Sequence, residues 1–263
     1  MHGPLNREEQ NRLERMPAIG RARGYRLYAL NGTRWLDCWL DDSRALLGHR
    51  PSKVSIRLKN EVDRGLYAPY PNRWTRRFEQ SLMRLFPGYS TARFYRNTER
   101  ALDLLGLDQN PTDPMDLPDD LDAFDGALWG RPLLPGHPKG SHLFTILPLP
   151  GLTDVQAVLT NDSAMPPSDP VSPIILASLT RSCASASSFP AGKPPEFRES
   201  SDIWKRRGPY MNFRGSEEDY DVLFESLIIR HILIAPSIRR PSVMPMEISD
   251  KEAAMLDAGS SSR

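Results

Sequence analysis

Proline governs what the second half of this chain can become. The sequence holds 25 prolines, most of them after residue 108. Each lacks a backbone N–H, so helix interiors and central sheet strands exclude it. The stretch DQNPTDPMDLPDDLDAFD, residues 108–125, adds aspartate to proline and reads as a surface loop or mobile segment. NDSAMPPSDPVSP and SFPAGKPPEFRESS read as two further loops. Between residues 108 and 207 that leaves HLFTILPL and VQAVLT as strand candidates, and IILASLTRSCASAS as an apolar run long enough for a helix. A parallel strand pair needs a crossover of about a dozen residues or more. A loop-rich span of this length cannot supply many, so any central sheet is small.

The flanking segments are better ordered. In YRLYALNGTRWLDCWL, Asn31-Gly32 predicts a two-residue hairpin turn between strands 25–30 and 33–40. Ser52 is positioned to cap a helix carrying Val54, Leu58 and Val62 at a spacing of four. A second helix is expected from Asn72 or Thr75, with Phe78, Leu82 and Leu85 on one face, stopping at Pro87-Gly88. TARFYR then reads as a strand, and Thr98–Leu107 as a short helix. Near the other end, Ser216 opens SEEDYDVLFESLIIRH with three acids in its first turn, the signature of a capped helix start. ILIAPS is an apolar strand, and Ser249 with Glu252 marks a last helix.

Charge excludes some classes. Thirty-four Lys and Arg face 33 Asp and Glu, so no bulk basicity argues for nucleic acid. WTRR, WKRR and SIRR are scattered, and Trp74 and Trp204 are expected to stack structurally with their arginines. No apolar run approaches the roughly 20 residues of a membrane helix. The segment MHGPLNREEQNRLERM is too polar for a secretory leader. Two cysteines, Cys38 and Cys183, do not make a disulfide framework. A cytoplasmic, reduced protein is the expectation, with no membrane partner.

The segments GYRLYALNGTRWLDCWLDDSRALLGHRPSKVSIRLKNEVDRGL, FEQSLMRLFPGYSTARFYRNTERAL and HILIAPSIRRPSVMPMEISDKEAAML, in that order, resemble class III aminotransferases, and among them the glutamate-1-semialdehyde aminomutase group. The likeness covers residues 24–107 and 208–256 and includes Asn31-Gly32, Asp37 and Leu47-Gly48-His49. It implies an α/β fold: a reduced form of the PLP-dependent transferase (fold type I) architecture, with a diminished central sheet and a small C-terminal α/β part. The divisions it suggests are a helical and hairpin segment 1–74, a reduced central domain 75–207 and a small domain 208–263.

The resemblance also implies a cofactor, pyridoxal 5′-phosphate (PLP), and so a set of residues to look for. The family seats the phosphate in a turn of pattern Asn-Ser-Gly-Thr-Glu-Ala between a strand and a helix. Here the turn is Arg96-Asn97-Thr98-Glu99-Arg100-Ala101. It lacks the glycine that lets backbone N–H groups approach a phosphate, and without a gap it sets Glu99 against the dianion. Arg96, Asn97, Thr98 and Arg100 are the candidate anion-binding residues, since guanidinium groups bind anions by side-chain hydrogen bonds. None of the six lysines reproduces the family's Schiff-base lysine. Lys193 in PAGKPPE and Lys139 in GHPKGSH are the two to weigh. No Asp-Glu-Val strand end offers a partner for the pyridine nitrogen. Asp125 and Asp154 are possible substitutes whose ordinary reading is turn or surface acid.

Other constellations point to structure. His49 is expected to be structural. His137 and His142 flank Lys139 without further metal ligands, and Ser182-Cys183 has no neighbouring histidine motif. The reading is an aminotransferase-like protein that has lost catalysis and acts in binding or assembly, with no cofactor expected. One alternative is an active PLP-dependent aminotransferase or aminomutase using an unrecognised lysine, in this chain or another. A second is a structural subunit that pairs with a full-length aminotransferase. A homodimer is expected, with Trp35, Trp39, Tyr67 and Tyr70 at its interface.

Overall fold

The computed structural model describes residues 5–152, 154–189 and 201–257. They fall into two compact units, residues 51–189 and the flanking segments 5–50 with 201–257. No helix among the described residues is long and apolar enough to cross a membrane.

In chain order, the flanking unit begins with α1 (Arg7–Leu13), β1 (Ile19–Arg23), β2 (Arg26–Ala29) and β3 (Arg34–Asp37). Asn6 caps α1 reciprocally with Glu9. The β2–β3 hairpin forms where Asn31-Gly32 predicts one, but its turn differs. Gly32 N–H bonds Ala29 O at 3.0 Å and Ala29 N–H bonds Thr33 O at 2.9 Å. Gly32 has φ of 87°, whereas Asn31 is not among the residues of positive φ. This is a three-residue loop in which only the glycine adopts the left-handed conformation, so the turn needs one special residue and not two.

The central unit runs α2 (Ser52–Asp63), α3 (Trp74–Leu85), β4 (Thr91–Tyr95), α4 (Thr98–Leu105), β5 (Ala127–Gly130), β6 (His142–Thr145), β7 (Gln156–Thr160) and α5 (Pro173–Ser187). Ser52 is the first residue of α2, and Pro51, which has no side-chain cap bond, holds the cap position. The strands form one sheet in the order β4-β7-β6-β5, with only β5 and β6 parallel. Residues 131–141 make that parallel crossover without a helix. Phe78, Leu82, Phe94, Leu143, Leu159, Leu176 and Leu179 close a core between α3, α5 and the sheet. The stretch 108–125 is not wholly a surface loop. Asp113, Pro114 and Met115 are buried, and Asp113 makes an ion pair with buried Arg131.

The flanking unit resumes with β8 (Trp204–Arg207), β9 (Tyr210–Phe213), α6 (Glu217–Ile229), β10 (Ile232–Leu233), β11 (Ser242–Val243) and α7 (Asp250–Asp257). The α6 start carries a reciprocal cap between Ser216 and Asp219. β10 pairs in parallel with β3, giving the order β1-β2-β3-β10, and β8, β9 and β11 form a second small sheet. Arg240 joins Glu9 and Asp42 at 2.8 Å each, all three side chains being buried. The arginines of WKRR and SIRR are thus spent on structure: Arg206 pairs with Asp257, and Arg240 with Glu9 and Asp42. Trp35, expected at an interface, is only 4% exposed and packs in this unit's own core beside Leu36, Tyr220 and Phe224. Trp39 lies half-buried against the same cluster.

Candidate anion site at the start of the fourth helix

β4 delivers the chain into α4 through Arg96 and Asn97. Asn97 is the helix cap, its Oδ1 accepting from Arg100 N–H at 2.8 Å. Thr98 Oγ1 donates to Gln156 Oε1 at 3.0 Å, and Gln156 Nε2 donates to the carbonyls of Thr145 and Ala157. The first helical turn is therefore fastened to the ends of β6 and β7. Backbone N–H groups and the positive end of the helix dipole meet here, a combination that attracts an anion.

The anion in this place is the protein's own. Asp169 Oδ2 accepts from Arg96 N–H at 3.0 Å and from Arg100 Nε at 2.6 Å. The hydrogen bond from Arg100 holds the Asp169 carboxyl below the usual aspartate range. The segment carrying it is laid along the outer edge of β4. Asp169 N–H bonds Phe94 O at 2.9 Å, Phe94 N–H bonds Ser168 Oγ at 3.2 Å, and the Tyr95 hydroxyl bonds Pro166 O at 2.9 Å. These bonds also cover the free edge of the sheet, which would otherwise invite another strand.

The four candidate residues thus have separate tasks. Asn97 and Thr98 fix the helix start, Arg96 contributes its backbone N–H, and Arg100 contributes its guanidinium. The carboxylate already takes Arg96 N–H and Arg100 Nε, and a phosphate dianion brought to the same donors would be repelled by it.

The sheet register separates the lysine candidate from the turn. Tyr95 aligns with Gln156, while Thr91 aligns with Thr160 and His142. Lys139 precedes β6 and its chain lies over Gly88, before β4 begins. It is exposed at the far end of the strands, about 13 Å of extended chain from the Tyr95 end. Asp125 precedes β5, which runs parallel to β6, and sits at that far end too. Asp154 precedes β7 at the near end and is exposed. Lys193 lies outside the described residues.

The remaining candidates are structural. His49 Nε2 meets Asp37 Oδ2 at 2.7 Å, and Asp37 Oδ1 accepts from the N–H groups of Trp39 and Leu40. The His137 ring bonds the carbonyls of Trp129 and Pro138. Among the described residues no group of three or more His, Cys, Asp or Glu is placed to hold a metal. Burial pushes the Cys183 thiol up to about 12, leaving almost no thiolate at neutral pH. The neighbouring Ser182 hydroxyl bonds Pro148 O.

Sequence reasoning missed Asp169. It sits in NDSAMPPSDPVSP, read as loop, and its partners Arg96 and Arg100 lie 73 and 69 positions earlier. No local spacing marks such a pair. The only available signal is an unpaired arginine cluster at a helix start, which calls for an acid somewhere.

No protein-family model matches the chain. An uncharacterized protein of Treponema pallidum is 24% identical over 291 residues, covering 89% of this chain and 90% of that protein. The fold has many solved counterparts. Ornithine δ-aminotransferase of Plasmodium falciparum superposes with a TM-score of 0.62 at 12% identity, covering 95% of this chain and 97% of that one. N-acetylornithine aminotransferase of Stenotrophomonas maltophilia gives 0.61 at 11% identity, covering 93% and 95%. An omega-transaminase from Sphaerobacter thermophilus gives 0.60 at 10% identity, covering 92% and 89%. The chain has a reduced fold-type I aminotransferase fold, a mixed α/β architecture with small sheets.

Proposed function

We propose that this chain is an aminotransferase-like protein that no longer transaminates and acts through binding or assembly. The observation that supports this reading most directly is the Asp169 carboxylate held by Arg96 N–H and the Arg100 guanidinium. The site at which aminotransferases of this pattern seat a phosphate is here closed by an internal anion. Arg96, Asn97, Thr98 and Arg100 are then a retained anion seat whose work is to fasten residues 166–169 to the sheet. Neither Lys139 nor Lys193 forms a Schiff base in this reading, and PLP is not a resident cofactor.

Assembly has its own support. Ile56, Leu58, Leu66, Tyr67 and Tyr70 are exposed within one stretch of the central unit. Apolar side chains so close together in sequence favour a covering partner, and a second copy of the chain is the partner proposed. Tyr67 and Tyr70 are exposed and free to join such a contact, whereas Trp35 is committed to its own core.

An absorbance scan with and without added PLP tests the proposal. The expected spectrum is that of free cofactor. A Schiff-base band saturating at one equivalent would overturn the proposal in favour of an active aminotransferase.

A further inference from the structure

A cleft of about 330 Å³ opens on the central unit, between α3 and α5, away from the residues discussed so far. Arg77, Gln80, Ser81 and Arg84 line it from α3. This i, i+3, i+4, i+7 set forms one face of a helix. Ala177, Thr180, Arg181 and Ala184 line it from α5 with the same spacing. Two facing helix stripes of this kind are ordinarily apolar where they pack. Here the α5 stripe carries small alanines that leave room, and the α3 stripe carries polar and charged groups.

Charge decides what the cleft can take. Arg57 from α2 joins Arg77, Arg84 and Arg181, so four arginines and no carboxylate line the cleft. Glu61 lies 3.7 Å from Arg57, but it is buried and shared with Arg64 at 2.7 Å and with Trp74 Nε1 at 3.2 Å. Arg57, Arg73 and Arg77 lie over the Trp74 ring at 5.2, 4.8 and 5.3 Å from its centroid, which orients two of the four cleft arginines. Among the described residues, Arg84 and Arg181 have no ion pair. Of the four only Arg57 has an acid beside it among those residues, so the other like charges repel one another, and guanidinium groups are suited to phosphate oxygens in particular.

Arg77 and Arg84 are two helical turns apart, about 10 Å along the axis. A single phosphate cannot span that distance, whereas a linear oligophosphate can. We infer that this cleft binds a small linear polyphosphate, recognised through its phosphate chain. Trp74 also lines the cleft, but the residue is only 4% exposed and its ring is flanked by arginines, so it has little face on which a base could stack, and a nucleoside is expected to add little to recognition. This inference is independent of the anion seat at Asp169.

Calorimetric titration of the full chain with inorganic tripolyphosphate, ATP and inorganic phosphate tests it. Tripolyphosphate and ATP should bind with similar affinity, weakening with salt, and inorganic phosphate much more weakly. Arg84→Gln and Arg181→Gln should each cost about tenfold in affinity, since each removes charged hydrogen bonds. Ala184→Leu keeps every charge but fills the cleft and should weaken binding as well. Arg230→Gln, an exposed arginine of the other unit, should change nothing. Thermal melts of each variant identify any that fails to fold, and Arg84, being exposed, is the variant expected to melt as wild type. Absence of tripolyphosphate binding at millimolar concentration would overturn the inference. So would wild-type affinity in both folded arginine variants. A single-stranded oligonucleotide that binds more tightly than tripolyphosphate, with the same loss in Arg84→Gln, would overturn the small-molecule assignment in favour of nucleic acid.

Discussion

Replacing Asp113 with Asn removes one charge and one hydrogen-bond acceptor from the interior of the central unit. The Arg131 side chain is fully buried, and its guanidinium grips Asp113 in a bidentate pair, Nε to Oδ1 at 2.8 Å and Nη2 to Oδ2. Asp113 Oδ1 also accepts from Met115 N–H at 3.0 Å, capping the 3₁₀ turn Pro114–Asp116. An asparagine keeps that acceptor and nearly the same volume, but it turns the oxygen facing Arg131 Nη2 into a donor, so the change removes the negative charge together with one hydrogen bond. The buried Arg131 guanidinium then loses this charged partner, and removing one side of a buried ion pair costs about 3–5 kcal/mol. A domain of this size has on the order of 5–15 kcal/mol of stability, so about a fifth or more is lost. At roughly 2–4 °C per kcal/mol the melting temperature should fall by about 6–20 °C. Urea titration followed by tryptophan fluorescence measures the loss. The double variant Asp113→Asn with Arg131→Met should recover most of it, because an apolar side chain of similar length needs no counter-charge. A loss below about 1 kcal/mol in Asp113→Asn, the range of exposed pairs, would refute the reasoning.

Three further outcomes are expected. The Arg100 hydrogen bond depresses the Asp169 pKa, so the contribution of this contact is fully present above about pH 4, the unfolded aspartate range, and fades as pH falls through the depressed folded value. Hydrogen exchange at Asp169 and neighbouring amides should then rise on acidification ahead of the central core, and uniform behaviour of both regions would count against the contact. Cys38 and Cys183 are fully buried, with thiols raised by desolvation; both should resist a thiol reagent in native protein and react at once in denaturant, and rapid native labelling of either would contradict the packing. The paired change Leu58→Asp with Tyr67→Asp should convert dimer to monomer in light scattering without lowering the melting temperature, whereas a monomeric wild-type protein would remove the case for a partner on that patch.

What the sequence discloses is local. The capping signals at Ser216 and Ser249 and the apolar spacing of Phe78, Leu82 and Leu85 each involve neighbours within a few positions, and each gives a helix where expected. Ser52 shows the limit of such signals, since the helix starts one residue earlier than a Ser52 cap would imply. Strands with little alternation were not legible. β1 is exposed along most of its length, and β8 reads as a basic patch because its arginines point to partners far along the chain. The aspartates of 108–125 suggest solvent, yet Asp113 is buried because Arg131, eighteen positions later, neutralises it. The anion seat was half legible for the same reason. The helix start, the missing glycine and the arginines are all visible in residues 96–101, whereas Asp169 becomes relevant only when residues 166–169 lie along β4.

The closure of that seat is tested most directly by reductive labelling. The purified chain is mixed with PLP and reduced with borohydride, and modified lysines are mapped by mass spectrometry. The account predicts trace labelling spread over several exposed lysines, because free amines react with this aldehyde without any site, and the same pattern in Lys139→Ala and Lys193→Ala. Stoichiometric labelling of a single lysine, abolished by changing that residue to alanine, would contradict it.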